Sequence, residues 1–101
     1  MTTSEVNIAK AVLKIAGAEN NGVASYGRLR KEIPGHVNLT PADLAMSGTR
    51  PNEPMWHQIF RNIKSHFVEP GNAISEGYLE HVPRVGYRIT PKGRAYVKAD
   101  P

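Results

Sequence analysis

The chain has 101 residues, with 13 lysines and arginines against nine aspartates and glutamates and a pI near 9.6. That length holds one modest core and leaves no room for a catalytic fold beside a separate recognition module. Having no cysteine excludes a disulfide framework, a thiolate metal site and a cysteine nucleophile, and no apolar run approaches the roughly 18 residues of a membrane-spanning helix. The start shows no charged, apolar and small-residue leader, so the expectation is a cytoplasmic protein without a membrane partner.

Ser4 is a good N-cap, and Val6, Ala9, Val12, Leu13 and Ala16 recur at helical spacing, which predicts an amphipathic helix over 5–17. Asn20-Asn21-Gly22 is a turn, Val23-Ala24 a very short strand, and Ser25 the cap of a second helix. That helix is expected to bury Tyr26, Leu29 and Ile33, to show Arg28, Arg30 and Lys31 outward, and to stop before Pro34-Gly35. Thr40-Pro41-Ala42-Asp43 opens a short helix with Leu44 and Met46 as its apolar contacts. A loop over 47–52 follows. Asn52 is then a candidate cap for a helix over 55–67, with Pro54 in its first turn.

In this long helix Trp56, Phe60, Ile63 and Phe67 fall on one stripe with Ile59 at its side, which predicts a core face. Residues 68–76 read as a loop around Pro70-Gly71-Asn72, with one added turn over 73–76. A strand ending at Val82, a turn at Arg84-Val85-Gly86 and a return through Tyr87 and Ile89 make a hairpin over 78–90. Thr90-Pro91 caps the final helix. The order predicts an α+β fold of winged helix-turn-helix type, with a C-terminal β-hairpin wing and a short last helix. It forms a single domain over 1–101 with an ordered core over 3–98.

Charge is uneven along the chain. Residues 1–49 carry five Lys/Arg against four Asp/Glu, and residues 50–98 carry eight against four. Between His81 and Lys98 there is no carboxylate, and there is none over 54–68. Such a surplus favours a nucleic-acid backbone as partner. On the outward face of the 55–67 helix, Gln58, Arg61, Asn62 and Ser65 are the candidates for base contacts, with His57 and Lys64 at the margins, because Gln and Asn match adenine and Arg matches guanine in the major groove. Arg84, Arg88, Lys92 and Arg94 are candidates for phosphate contacts, with Arg50 and Arg28 weaker.

Each has a plainer reading. The helix face is then merely solvated, and Arg88 pairs with Glu80 across the hairpin. Trp56 on the apolar stripe reads as core rather than as a stacking platform for a base, and Tyr78 and Tyr87 read as hairpin packing. His36, His57, His66 and His81 match no metal-ligand spacing, so no metal, cofactor or catalytic residue is expected.

The runs LTPADLAMSGTRPNEPMWHQIFRNIKSH from Leu39 and EGYLEHVPRVGYRITPKGR to Arg94 resemble the N-terminal domain of Mrr-type restriction endonucleases. They share a Leu-Thr start, a Ser-Gly loop, an early tryptophan, a Gly-Tyr-Leu-Glu step and a closing Gly-Tyr-Arg-Ile-Thr-x-x-Gly-Arg. Two features differ: Phe67–Ala73 is longer than the family's helix-to-wing connection, and no PD-(D/E)xK-like carboxylate set follows. The resemblance implies a winged helix that binds double-stranded DNA, with modified DNA as a target, in a restriction-modification setting. The expectation is a small regulator, or a targeting module whose nuclease is another chain, and not an enzyme. A homodimer through Val6 to Ile15 would add contacts. The rival is a protein-protein adaptor of the same fold without nucleic-acid contact.

Overall fold

Helix α1 (Glu5–Gly17) is the spine of the molecule, burying Ile8, Ala9, Ala11, Val12, Leu13, Ile15 and Ala16. The computed structural model describes residues 5–45 and 54–99. After a turn that places Gly22 at φ 74°, β1 (Val23–Ser25) leads into α2 (Tyr26–His36), where the Ser25 hydroxyl accepts a hydrogen bond from the Arg28 amide. Then come α3 (Pro41–Leu44), α4 (Met55–Ser65), the strands β2 (Leu79–Val82) and β3 (Gly86–Ile89), and α5 (Pro91–Ala99).

The strands form one antiparallel sheet in the order β1-β3-β2, with Val23 opposite Arg88 and Leu79 opposite Ile89. The fold is therefore α+β. Helices α2, α4 and α5 lie against α1, and the sheet closes the core through Leu79, Tyr87 and Ile89. Among the described residues no helix is long and apolar enough to cross a membrane.

Several local expectations are corrected. Helix α2 does not stop before Pro34 but runs to His36. Proline removes one donor, yet Val37 still closes the last turn on the Ile33 carbonyl at 3.1 Å. Pro54 is not inside the first turn of α4; it holds the cap position with extended backbone, and α4 starts at Met55. Helix α4 ends at Ser65 rather than at 67, so Phe67 leaves the stripe and is 56% exposed. Leu44 is 52% exposed and is not a core contact. Gly86 belongs to β3 rather than to the turn, because a Cβ there would meet the Ala24 carbonyl oxygen at 1.9 Å. The apolar face of α1 is used within the domain, and Val6 is the exposed large hydrophobic of that helix. The Ser4 and Asn52 caps, Met46, the 47–52 loop and Arg50 lie outside the described residues.

The connection from α4 to the hairpin is held by a buried asparagine. Asn72 donates from Nδ2 to the Ile63 carbonyl at 2.9 Å, and its Oδ1 accepts from the Ile74 and Ser75 amides. At the other end of the hairpin, Thr90 Oγ1 accepts from the Gly93 amide at 2.9 Å and donates toward the Gly77 and Tyr78 carbonyls. One side chain thus caps α5 and ties it to the start of β2.

Candidate nucleic-acid interface

Helix α4 owes its orientation to Trp56, Phe60 and Ile63, which are 3%, 2% and 0% exposed. With those three in the core, the 3.6-residue period sends the polar residues out in two groups. Gln58, Asn62 and Ser65 face away from the core, and the Ser65 hydroxyl turns back toward the Arg61 carbonyl at 3.5 Å. His57, Arg61 and Lys64 form a second stripe, rotated toward α2 and the hairpin. No carboxylate belongs to α4; Glu5 and Glu69 gather instead around His66 just past its end, at 3.2 and 3.7 Å.

Beside the cationic stripe is a cleft of about 150 Å³ lined by Tyr26, Arg30, Phe60, Arg61, Lys64 and Tyr87. Its floor is aromatic. Tyr26 meets Phe60 and Tyr87 edge-on at 5.9 and 5.7 Å between ring centroids, and Phe60 meets Tyr87 at 5.9 Å. The Tyr26 hydroxyl and His81 Nε2 are 2.6 Å apart, which joins α2 to β2 at the cleft's edge. Burial pushes the Tyr26 hydroxyl pKa up, and Tyr87 is raised further by burial and by Tyr26. Both phenols therefore stay protonated near neutral pH, and the imidazole tautomer sets the direction of the Tyr26–His81 hydrogen bond.

Both histidines near the cleft are biased toward the neutral form. Desolvation lowers the His57 pKa and the Arg30 charge lowers it further; desolvation and the Lys64 charge do the same to His81. Two imidazoles on different elements thus register the same positive field.

The hairpin distributes its charges differently. Alternation puts His81 and Tyr87 on the cleft side of the sheet and Glu80 and Arg88 on the other. Glu80 and Arg88 are direct partners in the ladder, 3.4 Å apart. Arg84 stands at the tip with φ 66°, in the left-handed region that non-glycine residues seldom occupy, next to the 44% exposed Val85. Lys92 Nζ lies 5.4 Å from the centre of the Tyr78 ring, which is itself stacked on Tyr96. Arg94 reaches the Gly17 carbonyl at 3.5 Å and lines a separate cavity of about 370 Å³ with Lys14 and Lys98.

The ten residues singled out from the sequence are therefore not one surface. His57, Gln58, Arg61, Asn62, Lys64 and Ser65 share α4, Arg84 marks the hairpin tip, Arg88 is on the far side of the sheet, and Lys92 and Arg94 sit on α5. Arg28 is held between Glu19 and Glu32. Sequence reasoning passed over Tyr26, Arg30 and His81 as parts of the site. The i, i+4 spacing of Tyr26 and Arg30 puts them on one face of α2, but only the pairing of β2 brings His81 to them. Among the described residues no group of three or more metal-ligating side chains comes together. Compared with protein-family models, curated proteins and solved structures, the chain matches none.

Proposed function

We propose that the chain is a winged-helix module that binds double-stranded DNA, with α4 in the major groove and the tip of the β2–β3 hairpin on the neighbouring backbone. The observation that carries this reading is the solvent side of α4. It combines Gln58, Asn62 and Ser65 with the cations Arg61 and Lys64, and the helix has no carboxylate. A helix fits the major groove, and these side chains match base edges and phosphates. The sheet order β1-β3-β2 and the helix before the hairpin agree with the winged-helix plan, and the likeness to the Mrr N-terminal domain adds modified duplexes to the targets worth testing. The module is a binder and not an enzyme in this reading, acting in the cytoplasm alone or with a separate nuclease chain.

The test is a titration of plain and methylated duplexes at two salt concentrations. The expected result is an affinity that falls steeply with salt, with Arg61→Ala combined with Lys64→Ala abolishing most binding while the thermal melt stays cooperative. Duplex affinity unchanged by that pair would sink the proposal in favour of a protein-protein adaptor.

A further inference from the structure

We infer that the cleft between α2, α4 and the hairpin is a seat for a single phosphate group, clamped by Arg30, Arg61 and Lys64 above the Tyr26–His81 pair. The inference deepens the duplex-binding reading and rests on it for the identity of the ligand, a phosphodiester of the DNA backbone.

The cleft's size is the first argument. About 150 Å³ is well below the roughly 300–1,000 Å³ of sites for drug-sized molecules, and it suits one compact group. Charge is the second. Three cationic side chains from two helices line the space, and Glu32, the carboxylate closest in sequence to Arg30, pairs with Arg28. An apolar aromatic floor beneath those cations keeps water away from one side, which weakens solvent screening and concentrates their field.

Geometry supplies the third argument. An Arg guanidinium presents a planar fork that matches phosphate oxygens, and Lys64 adds a point charge. The seat is assembled from α2, α4 and β3, so it exists only in the folded domain. A backbone phosphate placed there would lie beside α4 and fix the depth at which that helix enters the groove.

Three ligands separate the outcomes: inorganic phosphate, a short duplex with unphosphorylated ends, and the same duplex with 5′-phosphates. Each is followed through the ring resonances of Tyr26 and His81 and the side chain of Arg30 by NMR, in the wild type and in Arg30→Gln. Arg30 is exposed on α2, and a thermal melt confirms that the variant folds. Inorganic phosphate is expected to shift all three residues weakly in the wild type and none of the remaining two in the variant. The unphosphorylated duplex is expected to shift them strongly, with no gain from end phosphates, which assigns the seat to an internal diester. Removing one phosphate contact lowers the salt slope by about 0.9, so between 50 and 200 mM salt the wild type should lose about threefold more affinity than Arg30→Gln. An unchanged slope together with no shift by inorganic phosphate would overturn the seat while leaving duplex binding standing. Shifts with inorganic phosphate but no duplex binding would keep the seat and remove the duplex reading. Shifts confined to the 5′-phosphorylated duplex and free phosphate would overturn the assignment to an internal diester.

Discussion

Gly86 is where the sheet is least tolerant of change. A methyl group there would sit 1.9 Å from the Ala24 carbonyl oxygen, which is main chain and cannot step aside. Gly86→Ala is expected to cost well above the ~1 kcal/mol typical of point substitutions, read as a lower urea midpoint. Asn72→Ala removes one donor to Ile63 and one acceptor for two amides in a 5% exposed site. A loss of about 1–3 kcal/mol is expected by the same measurement. The histidines give a pH dependence with a definite sign. His57 and His81 have folded-state pKa values below the ordinary ~6.5, so the unfolded chain takes up protons first as the pH falls. Their contribution is fully present above about pH 6.5 and is lost as the pH drops below it, and His81→Gln should flatten the decline in stability between pH 7 and pH 5. Neither Gly86 nor Asn72 announces its role in the sequence. Gly86 looks like an ordinary turn glycine because its constraint comes from β1, far away along the chain, and Asn72 looks like an ordinary loop residue because its constraint is the end of α4, whose position the local sequence does not show.

Elements were more legible than sites. The capped starts at Ser25 and Thr90 and the apolar spacing of α1 follow from local chemistry, and local chemistry suffices to place them. Trp56 on its stripe is core, as its spacing indicates, and Phe60→Ala beside it should cost about 3–5 kcal/mol because Tyr26, Trp56 and Tyr87 all pack on that ring. Phe67 shows where periodicity misleads: the pattern continues past His66, whose amide still bonds the Asn62 carbonyl as the cap of α4. The end of a helix is set by the chain that follows, here the segment anchored by Asn72. Arg88 shows the limit for charged residues. A basic residue in a strand can face either side, and the register opposite Glu80 decides it. Arg88→Ala is therefore expected to change duplex affinity far less than Lys64→Ala in the same binding assay, since Arg88 already faces Glu80 across the hairpin.

At the scale of the whole molecule, the basic excess of the second half of the chain is divided between two sides. Arg61 and Lys64 border the α4 cleft with Arg30, while Arg94 and Lys98 meet Lys14 at the junction of α1 and α5. A count of charges along the sequence cannot make that division, because it depends on where α5 packs. Sheet topology has a consequence of another kind. β3 is the central strand, paired on one side with its hairpin neighbour and on the other with β1, where Val23 and Arg88 stand opposite each other 65 positions apart. During synthesis the first helices can form early, but β1 has nothing to pair with until Gly86–Ile89 has left the ribosome. Closing so long a loop is slow compared with forming a helix. Until β3 arrives, β1 has no ladder partner and the apolar side of α1 that packs on the sheet is left uncovered.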